Sequence, residues 1–257
     1  MTMPSGNRGY LEILENPQAV ARRGADLFAR LSADAIARSG EFRVALSGGS
    51  TPRALHTLLA SDPYRDHIDW SKVQFYWGDD RHVAPDDPES NFRMAYDTLL
   101  QFIPIHEAQM HRIHTEMPDA SAAAELYEQE LRQEFHLAPG ELPRFDLIYL
   151  GLGPDGHTCS LFPHTPALNV TDRLVSANYV PKLHTERITL TFPVINNAAN
   201  VAFLIAGADK ASALSVVLEG PSDPDEYPAQ RVAPTDGDLY WLVDRAAAAR
   251  LHTRPSP

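Results

Sequence analysis

The sequence predicts an α/β fold built on a mainly parallel sheet with helices on both faces. Three observations predict it. Apolar runs of strand length alternate with segments of helical periodicity. The runs are continuously apolar, as strands covered on both faces are. Four of them end abruptly in glycine followed by polar or charged residues.

Taken in order, Asn16-Pro17 reads as an N-cap with proline at the first helical position. Val20, Gly24, Leu27, Phe28, Leu31 and Ala35 then recur at helical spacing, and Ser39-Gly40 ends that helix. Phe42 to Leu46 is a short buried strand, and Thr51-Pro52 opens a helix to about Leu59. Val73 to Trp77 is the next strand, and Ser90-Asn91 starts a helix reaching about Leu100. Asp119 caps a helix with Ala123, Leu126, Tyr127, Leu131 and Phe135 on one face. Phe145 to Leu150 and Val201 to Ala206 are apolar strands, and Asp209 to Leu218 is helical. Leu239 to Val243 is the last strand. Pro221 to Pro228 reads as a loop, and Thr253 to Pro257 as a frayed end.

The chain has 257 residues with no internal repeat, charge block or linker. A single domain over 1–257, with its core at about 10–245, is the expectation. No window has the apolar run a membrane helix needs, and residues 1–10 lack the apolar core of a secretory signal. One cysteine, Cys159, excludes an intrachain disulfide framework and fits a reducing, cytoplasmic setting. The net charge of −12 argues against nucleic-acid or anionic-membrane partners. It also means that an anionic ligand must be drawn in by a few local cations and backbone donors. A monomer or weak homo-oligomer is expected.

In a parallel sheet, the four glycine-ended strands deliver their loops to one C-terminal edge, where open α/β sheets bind ligands. The loops are Ser47-Gly-Gly-Ser-Thr51, Gly78-Asp-Asp-Arg81, Gly151-Leu-Gly-Pro-Asp-Gly-His157 and Gly207-Ala-Asp-Lys210. Pattern alone therefore gathers Ser47, Ser50, Thr51, Arg81, Asp155, His157 and Lys210 around one crevice.

Ser47, Gly48, Gly49, Ser50 and Thr51 read either as a phosphate cradle at a helix N-terminus or as a tight turn with a Ser/Thr cap. Their place at the shared edge favours the cradle. Gly151 to Gly156 matches a dinucleotide fingerprint formally, but Pro154 and the following Thr158-Cys-Ser-Leu-Phe-Pro163 leave no clean helix for a pyrophosphate. His157 is placed to reach a ligand and has a suitable pKa for acid–base work, and Asp155 could orient its ring. Taken alone, such a histidine is more often structural. Arg81 follows two acids, Asp79 and Asp80, and reads as a structural ion pair or as a phosphate fork whose guanidinium they orient. Arg187, before Ile188-Thr-Leu-Thr191, and Lys210 are the other cations near strand ends. His106, His111 and His114 read as surface residues, and no cluster has metal-ligand spacing, so no metal is expected.

These blocks together identify the chain as similar to a known family. Ala45 to Pro52, Trp77 to Arg81 with Asp87 to Phe92, Gly151 to Pro163, and Arg187 to Thr191 with Gly207 to Lys210 resemble the glucosamine-6-phosphate isomerase/6-phosphogluconolactonase family. The order and spacing hold from about residue 10 to residue 245. Within it, the deaminases have Asp-Glu-Tyr where this chain has Asp79-Asp80-Arg81, and Phe-Asn-Glu-Pro where it has Ser160-Leu-Phe-Pro163. Both differences point to the lactonase branch. That branch usually has Asp-Glu-Arg, and Asp80 is a mild departure. The region around Pro181-Lys-Leu-His184 is looser than the family's, which leaves Lys182 outside the assigned site. The resemblance implies a modified Rossmann-like fold of the isomerase and CoA-transferase superfamily. It implies hydrolysis of 6-phospho-D-glucono-1,5-lactone in the pentose phosphate pathway, with no metal or organic cofactor. It implies His157 as the general base with Asp155 behind it. Phosphate would rest on Ser47–Thr51, Arg81, Arg187 and Lys210. An amino-sugar-phosphate deaminase and a non-catalytic sugar-phosphate sensor are the alternatives.

Overall fold

The computed structural model describes residues 9–252. Ten strands and seven α-helices alternate through them. The strands are β1 (Tyr10–Leu14), β2 (Phe42–Leu46), β3 (Val73–Trp77), β4 (Asp79–Arg81), β5 (Met110–His111), β6 (Leu147–Leu150), β7 (Val175–Val180), β8 (Thr185–Leu190), β9 (Asn200–Ile205) and β10 (Asp238–Asp244). The helices are α1 (Pro17–Ser39), α2 (Ser50–Leu59), α3 (Tyr64–His67), α4 (Asn91–Thr98), α5 (Ala120–Glu134), α6 (Phe192–Asn196) and α7 (Ala211–Glu219).

Seven strands form one sheet in the order β1-β10-β9-β6-β2-β3-β5. Every pairing in it is parallel. Central β6 is buried at all four positions and β10 at all but its first, so both faces of the sheet are covered. The apolar runs are the physical cause, because no residue of β6 could face water without leaving its neighbours a cavity.

Helix α1 shows how local chemistry sets an element's limits. The Asn16 side chain accepts from the Ala19 N–H at 2.9 Å, and Gly40 closes the helix in the left-handed region, returning its N–H to the Ile36 carbonyl. Tyr149 of β6 donates its hydroxyl to the Gly24 carbonyl at 2.8 Å, which pins the helix to the sheet.

The second sheet is antiparallel and three-stranded, in the order β4-β8-β7. Periodicity does not reveal it. β4 is three residues long and charged, and from the sequence it reads as the loop after β3. β1 and β5 were missed for related reasons: β1 is only partly apolar and β5 has two residues. The helix expected from Asp209 opens as a 3₁₀ turn, Ala208–Lys210, before α7.

One histidine reading is corrected. His111 is buried, not superficial; its ring stacks on Tyr76 at 4.4 Å and pairs with Glu130 at 2.9 Å. A carboxylate partner and an aromatic platform make its burial tolerable. The frayed end expected at Thr253–Pro257 lies outside the described residues.

Candidate active site

All four glycine-ended loops meet at the C-terminal edge of the large sheet and enclose a cavity of about 290 Å³. Ser47, Gly48, Gly49, Arg81, His157 and Lys210 line it, as expected from the sequence, and Asp79, Asn91, Gly151, Leu152, Gly153, Pro154 and Cys159 join them.

The loop after β2 supplies one wall. Gly49 has φ 107° as the residue capping α2, a conformation side chains avoid. The Ser47 hydroxyl is buried without a protein partner, on the cavity wall. A β-carbon on Gly48 would lie 1.9 Å from Asn91 Oδ1, so only glycine lets the loop pass this close to α4. Ser50 and Thr51 are not in the lining. α2 begins at Ser50, and its winding leaves Ser50 exposed and turns Thr51 inward. What these two residues offer the cavity is the polarity of the first helical turn rather than hydroxyls.

The small sheet supplies the cations. Arg81 on β4 stands opposite Arg187 on β8 in the antiparallel register. Arg187 is buried, and burial and the neighbouring Arg81 both lower its pKa from the ordinary arginine value. Arg187 is not among the residues that line the cavity; it lies buried beside Arg81, and the repulsion between the two guanidinium groups is one that an anion bound at Arg81 would relieve. Lys210 reaches the cavity from the turn before α7, paired with Asp209 at 3.0 Å.

The acids before Arg81 do something different from the orienting role expected of them. Asp80 is buried and accepts from the backbone N–H groups of Arg81, Asn91 and Phe92 at 2.8, 2.7 and 3.1 Å. It therefore ties β4 to the start of α4, and burial raises its pKa to about 6 against those three donors. The Arg81 guanidinium instead donates to the Glu89 carbonyl. Asp79 faces the cavity and accepts from the Ser160 hydroxyl at 2.6 Å.

Asn91 is the site residue that sequence reasoning missed. Its side chain donates to the Asp79 carbonyl at 3.0 Å while also meeting Gly48, so it joins the two walls. The signal was present in the Asp87 to Phe92 block, but a helix-start asparagine reads first as a cap.

His157 sits on the third wall. Its Nδ1 contacts Asp155 Oδ1 at 2.5 Å, and its ring stacks on Phe162 at 4.0 Å between centroids. A β-carbon on Gly153 would fall 2.0 Å from Nδ1, so the glycine is what admits this pair. Burial pushes the imidazole down to about 4; Asp79 opposes this, while Lys210, Arg187 and Arg81 reinforce it. The ring is thus neutral at pH 7. The Asp155 carboxylate accepts the hydrogen bond from Nδ1–H, and that assigns the lone pair to Nε2. Cys159 also lines the cavity, but burial raises its thiol pKa well above the ordinary value, which makes it a poor nucleophile. His164 lies away from the cavity, paired with Glu226 at 2.7 Å. Among the described residues, no group of three or more His, Cys, Asp or Glu could hold a metal ion.

A parallel sheet with its polar loops at one edge, two arginines on a small flanking sheet and a neutral imidazole on the cavity wall define the class: an α/β enzyme with a cationic site. The chain belongs to the glucosamine-6-phosphate isomerase/6-phosphogluconolactonase family, which it matches over residues 15–241. It is 43% identical over 241 residues to a 6-phosphogluconolactonase of Synechocystis sp., covering 94% of this chain and 98% of that one. The solved 6-phosphogluconolactonase from Trypanosoma cruzi superposes with a TM-score of 0.84 at 26% identity, covering 96% of this chain and 98% of that one. A monomeric glucosamine-6-phosphate deaminase superposes with a TM-score of 0.77 at 21% identity, covering 94% and 99%, which shows a shared fold.

Proposed function

We propose that this protein hydrolyses 6-phospho-D-glucono-1,5-lactone to 6-phosphogluconate, a step of the pentose phosphate pathway, with His157 as the general base. The observation that carries the reading is the His157–Asp155 contact at 2.5 Å on the wall of a cation-lined cavity. Arg81, Arg187 and Lys210 hold the phosphate, together with the polar first turn of α2. Fixing that end of the substrate brings the ring ester to the histidine side of the cavity.

Nε2 of neutral His157 takes a proton from water as the water oxygen attacks the lactone carbonyl. The carbonyl electrons move onto oxygen. When they return, the bond to the ring oxygen breaks, and His157 gives that oxygen its proton. Asp155 keeps the proton on Nδ1 in the resting enzyme and stabilises the imidazolium between the two transfers. The Gly153 N–H donates to the His157 carbonyl at 2.8 Å and the Gly156 N–H to the Gly153 carbonyl at 3.0 Å. Those two N–H groups hold the loop and are not free to serve the oxyanion.

The base is already deprotonated well below neutrality, so kcat/KM should be flat across neutral pH and fall only on the acid side, towards pH 4. No described helix is long and apolar enough to cross a membrane. With a single cysteine and a sugar-phosphate substrate, a cytoplasmic monomer or weak homo-oligomer completes the reading.

The test is acid release from the lactone, measured against its spontaneous opening in buffer. Opening well above that blank supports the proposal. Ammonia release from glucosamine-6-phosphate with no lactone opening would move the chain to the deaminase branch. Binding of sugar phosphates with neither reaction would make it a sensor.

A further inference from the structure

Lys182 had no secure place in the site. It lies in the 3₁₀ turn Pro181–Leu183, between the two long strands of the small sheet, and does not line the cavity. Its ammonium pairs with Asp155 Oδ2, the carboxylate oxygen that His157 does not use. The same nitrogen stands 4.9 Å over the ring of Phe162, and that ring is the platform on which His157 stacks. The hairpin of the small sheet thus reaches across to the loop of the large sheet. It holds both groups that fix the imidazole: the carboxylate beside it and the aromatic ring beneath it.

We propose that Lys182 is a positioning residue for His157, acting through Asp155 and Phe162 rather than through the phosphate. This rests on the reading of His157 as the general base. Lys182 is half exposed, so its ion pair adds little to stability. Its effect is directional. A carboxylate with one oxygen on an imidazole and the other free to water can rotate, and each rotation releases the ring. Lys182 removes that freedom and offsets part of the Asp155 charge.

The second effect is visible in the titration of the ring. The charged groups that face His157 are Asp155 on its own loop, Asp79 and Arg81 from β4, Arg187 from β8, Lys210 from the turn before α7, and Lys182 through Asp155. Removing the Lys182 cation leaves the Asp155 charge less compensated, so the imidazolium becomes easier to form.

The experiment compares wild type, Lys182→Met and Lys182→Arg by steady-state lactone hydrolysis and by NMR titration of His157 in the substrate-free protein. Lys182→Met should lose about tenfold in kcat with KM nearly unchanged, and the His157 pKa should rise by roughly half to one unit. Lys182→Arg should restore both. A raised KM with intact kcat would make Lys182 a phosphate ligand and overturn the proposal, as would a variant in which neither kcat nor the titration moves. If wild type opens no lactone above the blank, the proposed function fails by itself. The NMR titration then decides on Lys182 alone: a raised pKa supports it and an unchanged one overturns it.

Discussion

The two sheets divide the site between them. The large parallel sheet supplies the loops that carry Ser47 to Gly49, His157 and Lys210. The small antiparallel sheet supplies Arg81 and Arg187, and its hairpin supplies Lys182. The first sets the proposed base, His157, and the polar Ser47 loop on glycine-rich turns. The second brings guanidinium groups together by register, since Arg81 and Arg187 are cross-strand partners. In a protein carrying a net charge of −12, the two-stranded register sets two cations side by side, next to the cavity to which the proposed function assigns the phosphate.

The comparison can be broken at either sheet. His157→Gln, on the large sheet's side, should lower kcat by roughly a hundredfold to ten-thousandfold, with KM little changed. A variant with near-native turnover would remove the base from His157. Arg187→Met, on the small sheet's side, should raise KM by about tenfold to a hundredfold, the worth of one charge-assisted contact, and leave kcat close to wild type. A pure kcat loss would put the arginine in the chemistry instead.

Acid stability sharpens the contrast at smaller scale. His157 and the fully buried His56 are both held neutral by burial, at about 4 and about 3. Their native pKa values lie below the unfolded value of 6.5. The unfolded chain therefore binds protons that the native state refuses. Stability is present in full above pH 6.5 and is lost as the pH falls through that value towards 4 and 3. Urea midpoints at pH 7 and pH 5 should fall in that order, and His56→Leu should flatten the difference; a midpoint that rises on acidification would contradict the assignment. The smallest effect expected is that of Ser50→Ala. Its exposed hydroxyl is off the cavity wall, so KM should move by less than about twofold. A larger shift would return the hydroxyl to the phosphate cradle.

The large sheet was legible in the sequence because β2, β3, β6, β9 and β10 are runs of buried residues, and burial on both faces leaves an unbroken apolar string. Their shared edge followed from parallel topology, and with it six of the residues that line the cavity. The small sheet was not legible. Its key strand, Asp79–Arg81, has no periodicity to read, and the pairing that sets Arg81 against Arg187 spans more than a hundred positions. The role of Asp80 was misread for the same reason. Adjacent in sequence, it seemed a partner for the Arg81 guanidinium; folded, its carboxylate turns to three backbone donors, one of them Arg81's own N–H and two at the start of α4. Side chains placed by a strand's own pattern can be read locally, whereas those placed by pairing across the fold cannot.

Binding of 6-phosphogluconate by calorimetry to His157→Gln and Arg187→Met tests the division of labour most directly, because it separates grip from chemistry. The account predicts that His157→Gln, though crippled in turnover, binds the product like wild type, and that Arg187→Met binds it at least tenfold more weakly. Loss of binding in His157→Gln with full retention in Arg187→Met would contradict it.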